Sequence, residues 1–359
     1  MFNHLKKLDW PLAVAALSIS GIGLLTIYGI GSPESLIFFK KQLVFTTLGF
    51  LVMIALSFFD YRIFKNYSII LVALYLLSLF FLALVLFSGE IRGASSWFRL
   101  GSLRIEPIEF IKIIIILFLA KYFSFRHIEM YRIRHLIVSG AYVGLPVLAI
   151  LFQPDIGSIL VLSAIWLGVV IVSGIKIRHL IALLLVVVLL LTAGWFGFLE
   201  PYQKQRIITF LNPQEDPYGQ GYHINQSLIA IGSGQLFGKG LDFSSQAGLN
   251  FLPEQHNDFI FATLAEQRGL AGVFFLLILY ALLFWRIIKV ALGAANNFSR
   301  LFAVGFTMMI FVQMAINIGM NMAVLPITGL TLPFVSYGGS SLMSIFIGMG
   351  ILQGIKARS

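Results

Sequence analysis

Along this chain, uninterrupted apolar windows alternate with short polar connections. The windows lie near residues 11–31, 42–59, 68–88, 108–123, 136–152, 156–173, 179–199, 269–287, 301–322 and 340–355. Each approaches the ~20 residues that an α-helix needs to cross the hydrocarbon of a bilayer. The pattern predicts an all-α polytopic membrane protein with ten spans, forming a single integral membrane domain over residues 1–359. The first window follows Lys6, Lys7 and Asp9, runs the full thickness of a bilayer and lacks a small-residue cleavage signal. It therefore reads as a retained span and not as a secretory leader.

Composition sharpens that picture. Of 359 residues, 59% are hydrophobic and only 11% are charged, which excludes a soluble enzyme. There is no cysteine, so disulfides, thiolate metal sites and a Cys nucleophile are excluded as well. The net charge of +10 is scattered between apolar runs, which argues for topology and against a nucleic-acid partner. With ten spans both termini share one side. The loops on that side hold fifteen Lys and Arg against only Asp9, Asp60 and Glu129. By the positive-inside rule both termini are cytoplasmic. Lys40 and Lys41, beside an outward turn, fit this assignment worst.

Most connections are short, but residues 200–268 form one long extracytoplasmic loop before the eighth span, rich in Gly, Pro, Gln and Asn. It holds Glu200, Glu215, Asp216, Asp242, Glu254, Asp258 and Glu266, nearly half of the carboxylates in the chain. Loops of this length in a compact protein usually carry function. Within it, His223–Phe237 places Ile224, Leu228 and Ile231 at helical spacing beside Asn225, Gln226 and Ser227, the pattern of a helix lying in the headgroup layer. A second external stretch, 89–107, contributes Arg92, Arg99 and Arg104. The sequence contains no internal repeat, low-complexity tract or soluble domain.

Nucleotide-binding, serine-hydrolase and zinc-protease signatures are missing from the sequence. What remains are ionisable groups at membrane depth or at its outer edge, where each needs a partner or a purpose. Glu109 and Lys112 are three residues apart on one helical face and can neutralise each other, either as a structural pair or at a phosphate or sugar. Asp155, after Gln153-Pro154, suits an N-cap on the sixth span, with or without a further contact. The densest cluster is Glu254-Gln255-His256-Asn257-Asp258, just before the eighth span. Asp258 could cap that helix; alternatively, a partly desolvated carboxylate there could act as a general base. Arg206 and Lys239 are candidate phosphate ligands or solvated cations. Gly338-Gly339-Ser340-Ser341 could bind an anion at the start of the last span, or merely permit a tight re-entry.

Several strings together resemble the SEDS family (shape, elongation, division and sporulation proteins) over nearly the whole chain. They are Gly93-Ala94 with Trp97 and Leu100-Gly101; Pro107-x-Glu109-x-x-Lys112; Gln153-Pro154-Asp155; and Arg206 with Asp216-Pro217, Gly221-Tyr222, Gln226-Ser227 and Gly238-Lys239-Gly240. Two more are Leu252-Pro253-Glu254-x-His256-x-Asp258-Phe259 and Pro333-Phe334-Val335-Ser336-Tyr337-Gly338-Gly339-Ser340-Ser341. Leu8-Asp9-Trp10 and Pro326-Ile327-Thr328-Gly329 look more like the elongation branch than the division branch. Departures from the family pattern are Ile108 for serine, Ser96 for arginine and Asn257 for threonine; Ser96 puts any phosphate contact at its position in doubt.

The resemblance implies ten spans with a large external loop and peptidoglycan glycosyl transfer from lipid II. It also implies work alongside a class B penicillin-binding transpeptidase and other elongation-complex membrane proteins in the bacterial cytoplasmic membrane. It carries Asp258 over as the catalytic residue. Glu109, Lys112, Asp155, Arg206, Gln226, Ser227, Lys239, Glu254, His256 and Ser340 are set at the substrate, with a divalent cation such as Mg or Mn a further candidate at the diphosphate. A lipid flippase or transporter is the rival reading; it should place ionisable groups through mid-membrane depth and on both faces. A structural scaffold is the other, and it leaves the Glu254, His256 and Asp258 cluster without a purpose.

Overall fold

The computed structural model describes residues 2–86, 97–100, 103–125, 133–153, 155–197, 204, 208–210, 212, 219–240 and 254–358. The helices are α1 (Phe2–Leu5), α2 (Trp10–Tyr28), α3 (Pro33–Phe58), α4 (Arg62–Asn66), α5 (Ser68–Val85), α6 (Pro107–Ser124) and α7 (Ile133–Leu151). They continue as α8 (Ile156–Val172), α9 (Ile177–Gly197), α10 (Gln220–Ser233), α11 (Ile260–Leu292), α12 (Asn297–Asn321) and α13 (Gly339–Arg358). Between α5 and α6 a two-stranded antiparallel hairpin pairs β1 (Phe98–Leu100) with β2 (Leu103–Ile105), Phe98 opposite Ile105. Among the described residues, α2, α3, α5, α7, α11, α12 and α13 are long and apolar enough to cross a membrane. The chain is an all-α, multi-pass membrane protein, and each apolar window of the sequence falls on one of the helices.

Two boundaries differ from the hydropathy pattern for physical reasons. The second window starts at residue 42, yet α3 begins at Pro33, because Ser32 accepts the Ser35 N–H at 3.1 Å and Pro33 is preorganised for a first turn. Lys40 and Lys41 thus lie inside a helix that the charge count interrupts. The eighth window starts at residue 269, yet α11 begins at Ile260 and is broken at Gly269 (φ 63°), a backbone conformation natural only to glycine. The loop after α10 satisfies the backbone around this break. Leu270 and Ala271 donate to Gln235 O and Leu236 O at 2.8 and 3.0 Å, while Lys239 N and Gly240 N donate to Glu266 O and Gln267 O at 2.9 and 3.1 Å. An interrupted helix at membrane depth is tolerated only with such replacement partners.

The last helix, not the first, is the centre of the bundle. In its most apolar stretch α13 is 78% buried, against 22% for α11. It packs on α3 and α6, while α12 packs on α6 and α8, and α10 packs on α11 and α12. Lipid gives apolar helices no hydrophobic reason to associate, so close van der Waals contact must hold them. A methyl group at Gly348 of α13 would run into the ring of Phe306 of α12, which shows how tightly the two meet. Toward lipid, α11 presents Phe274, Phe275 and Ile278, all exposed.

Candidate active site

The segment preceding α11 is a tight turn with Glu254 in the left-handed region (φ 47°) and with Asn257 N and Phe259 N both donating to Glu254 O. Asp258 does not play the capping part that its position suggests. The cap residue of α11 is Phe259, without a side-chain hydrogen bond, and the Ala262 N–H is taken by Asn321 Oδ1 of α12 at 3.2 Å. Asn321 and Asn317 instead anchor Asp258 through its backbone. Their side-chain amides donate to Asp258 O at 2.9 and 3.1 Å, and Asn317 also donates to Leu330 O at 2.7 Å. The half-buried Asp258 carboxyl faces Gly329, whose missing side chain would begin 3.7 Å from Oδ2. Asp258 is thereby anchored through its backbone at the end of a span, next to a helix start whose cap residue is Phe259.

His256 and Glu254 flank it. Their side chains approach to 3.8 Å, and the imidazole stacks on Phe38 of α3 with ring centroids 4.1 Å apart and 12° between planes. Tyr337 N donates to His256 O at 2.8 Å, and Ser336 Oγ donates to Asn257 O at 2.7 Å. Gln42 of α3 ties the far side, donating to Ser336 O at 3.0 Å and accepting from Gly338 N at 3.3 Å. The Gly338 amide is thus taken by a side chain and is not offered to an anion.

A second polar cluster lies at the start of α6 and α8. Lys112 Nζ donates to Glu109 Oε1 at 2.8 Å; Lys112 is 0% exposed and Glu109 4%, so the pair is the buried, mutually neutralised one that its spacing foretold. Asp155 caps α8 by accepting the Ser158 N–H at 3.0 Å. Ser340 Oγ of α13 accepts the Glu106 N–H at 3.1 Å. Gly157 abuts Leu330, Ser340 meets Glu106 and Ser336 meets Asn257, so the stretch from Gly329 to Ser341 has contacts with residues beside both clusters.

Other sequence candidates lie elsewhere. Ser227 of α10 is buried and donates to Asn321 O at 2.7 Å; Gln226 beside it is half-buried. Lys239 pairs with the fully buried Glu266 at 3.1 Å beside the break in α11 and remains 29% exposed. Arg206 falls outside the described residues. Among the described residues no three His, Asp or Glu side chains gather to hold a metal ion.

Sequence reasoning missed Gln42, Asn317, Asn321 and Ser336 as parts of the site, and Glu106 as a titrating group. A signal did exist for the two asparagines. Amides at i and i+4 in an otherwise apolar span are costly unless they bond to something. Removing one should be felt at the site: Asn321→Ala leaves Ala262 N and part of Asp258 O without partners, a loss of about 1–3 kcal/mol. Faster amide exchange over 254–262, with polymerisation slowed by about tenfold, is the expected result; unchanged exchange would refute the anchoring role.

The Glu106 carboxyl is pushed up to about 8, first by burial, then by Glu109 and Asp155, against the opposing pull of Lys112 and a hydrogen bond from Trp97. That environment is invisible in the string Glu106-Pro107.

Residues 12–359 match the description of the cell cycle protein family that comprises FtsW, RodA and SpoVE. The chain belongs to this family. Stage V sporulation protein E of Bacillus subtilis (strain 168) is 37% identical over 365 residues, covering 98% of this chain and 97% of that one. The peptidoglycan glycosyltransferase MrdB of Escherichia coli (strain K12) is 34% identical over 349 residues, 97% and 93% of the two chains. Among solved structures, a chain from a peptidoglycan synthase complex that coordinates polymerisation and crosslinking superposes with a TM-score of 0.82 at 33% identity, covering 97% of each. For this FtsW/RodA/SpoVE member, then, the all-α architecture and the family read from the motifs both hold.

Proposed function

We propose that this family member is a peptidoglycan glycosyltransferase that polymerises lipid II on the outer side of the cytoplasmic membrane, with Asp258 as general base. The observation that carries this reading is the placement of Asp258: a half-buried carboxylate fixed through its backbone by Asn317 and Asn321 at the end of a span. The names of its relatives supply the reaction class. The Asp258 carboxylate takes the proton of the acceptor N-acetylglucosamine 4-hydroxyl as that oxygen bonds to the anomeric carbon of the donor N-acetylmuramic acid. The bond to polyprenyl diphosphate breaks with inversion, and the leaving group departs as the anion. Arg206 and the part-exposed Lys239 are cations for that charge, and Lys112, which is buried against Glu109, is the third candidate.

The outward orientation of this site rests on the loop charge count. The partner is a class B penicillin-binding transpeptidase, a proposal supported by the synthase complex that the fold resembles. The elongation branch is favoured by Leu8-Asp9-Trp10, whose aspartate is built into the bundle.

Purified protein given labelled lipid II, with and without the transpeptidase, is expected to yield a ladder of glycan strands. If the folded protein yields none in either condition, the transferase assignment fails. Arg206→Ala and Lys112→Ala are each expected to lower turnover by about tenfold or more. A wild-type rate in either variant removes that residue's part at the diphosphate.

A further inference from the structure

The corner where α11 turns into α12 lies at the end of the bundle that carries the termini. Near it Arg286 of α11 holds Asp9, Gln353 of α13 also binds Asp9, and Asn296 Nδ2 donates to Tyr61 Oη beside α4 at 3.1 Å. The corner encloses an open cleft of about 300 Å³, lined by Ala291, Leu292, Ala294, Asn296, Asn297 and Arg300. That volume is at the lower end of the range for ligand sites. Its one charged lining group is the exposed Arg300. No Asp or Glu occurs in the chain after Glu266. Among the described residues, the acids at this end of the bundle face other cations, Asp9 meeting Arg286 at 2.6 Å and Asp60 meeting Arg358 at 3.9 Å.

A strip of α11 leads into the cleft from the lipid. Trp285, Ile288, Lys289 and Leu292 share one helical face and are all exposed. The Lys289 ammonium stands 5.0 Å from the centroid of the Trp285 ring, an indole and a cation of the kind that mark a membrane–water boundary. Leu292 belongs both to this strip and to the wall of the cleft. A molecule whose acyl chains lie along the strip thus brings its headgroup to Arg300.

We propose that this cleft binds the headgroup of an anionic phospholipid from the leaflet on the side of the termini, with Arg300 and Lys289 meeting its phosphate. The guanidinium suits a phosphodiester as a two-pronged donor and the ammonium as a point charge. A zwitterionic headgroup brings a cation of its own into a cleft without a carboxylate, and a free phosphate forgoes the apolar strip. The cleft lies at the opposite end of α11 from Asp258, so the proposal stands whether or not the chain polymerises lipid II.

The test uses the full chain in phosphatidylcholine nanodiscs doped with brominated-chain phosphatidylglycerol or brominated-chain phosphatidylcholine. The fluorescence of Trp285, taken as wild type minus Trp285→Phe, reports which lipid lies on the strip. Brominated phosphatidylglycerol is expected to quench it with an apparent affinity at least about fivefold higher than its zwitterionic counterpart. Arg300→Gln is expected to lower that preference by about fivefold, and adding Lys289→Gln to abolish it. Arg178→Gln, which removes an exposed cation at the start of α9, is expected to leave it unchanged. Equal quenching by the two lipids in the wild type overturns the proposal, as does a full preference in Arg300→Gln. A loss in Arg178→Gln as large as in Arg300→Gln also overturns it, because the attraction is then diffuse surface charge and not a site. Relief of the quenching by millimolar inorganic phosphate, beyond that by chloride at equal ionic strength, overturns the lipid as the source of the phosphate.

Discussion

Asp258→Asn protein is expected to fold and to polymerise lipid II at least about 100-fold more slowly than wild type, the usual scale for losing a general base. The substitution is nearly isosteric, and Asn317 and Asn321 hold the turn through the Asp258 carbonyl, which the change leaves in place. Asn317 and Asn321 should therefore keep residue 258 where it is, so the loss reports proton transfer and not misfolding. The helix start should also be indifferent to the change, since Ala262 N is served by Asn321. The measurement is glycan strand length and rate on labelled lipid II, with thermal unfolding of the same preparation as control. Undiminished strands from a folded Asp258→Asn protein would withdraw the base assignment.

The largest effect on stability is expected at the other end of the bundle. Asp9 caps α2 by accepting the Leu12 N–H at 3.1 Å, and its carboxylate also takes Arg286 Nε and Nη2 of α11 at 2.9 and 2.6 Å. Gln353 of α13 closes the joint, accepting from Asp9 N at 2.8 Å and donating to Asp9 O at 2.9 Å. The Asp9 side chain is 2% exposed, so water cannot replace a missing guanidinium. Arg286→Ala leaves that charge buried with only its backbone donor, a cost of about 3–5 kcal/mol. A fall in the thermal unfolding midpoint in detergent or nanodiscs is the expected readout. Adding Asp9→Asn to Arg286→Ala should recover much of the loss, because a neutral amide can still accept the Leu12 N–H. If Arg286→Ala melts like wild type, the joint contributes nothing and three helices are held by packing alone.

The unevenness of what could be read from the chain follows from the solvent. Lipid demands an apolar run for each crossing, so the helices were legible, and Asp155 was legible as a cap because capping is local. The Glu109–Lys112 pair was legible for the same reason, being one helical turn apart. By contrast, the helical stretch from Ile260 to Arg268 was hidden, because Glu266, Gln267 and Arg268 break the apolar window. Its polar groups are acceptable only once the loop after α10 and Lys239 are packed against them. Asp258 was legible as a candidate, but its anchoring depends on Asn321, 63 residues away.

By itself, the sequence determined that the chain is a polytopic helical membrane protein and which family motifs it carries. Each of those properties is set by composition or by neighbours within a turn or two. The tertiary structure alone decided that Asn321 meets the start of α11, that Arg286 seals Asp9, and that burial beside Glu109 and Asp155 pushes the Glu106 carboxyl up. Those outcomes depend on desolvation and on charges brought together from distant parts of the chain, and local spacing carries no record of either.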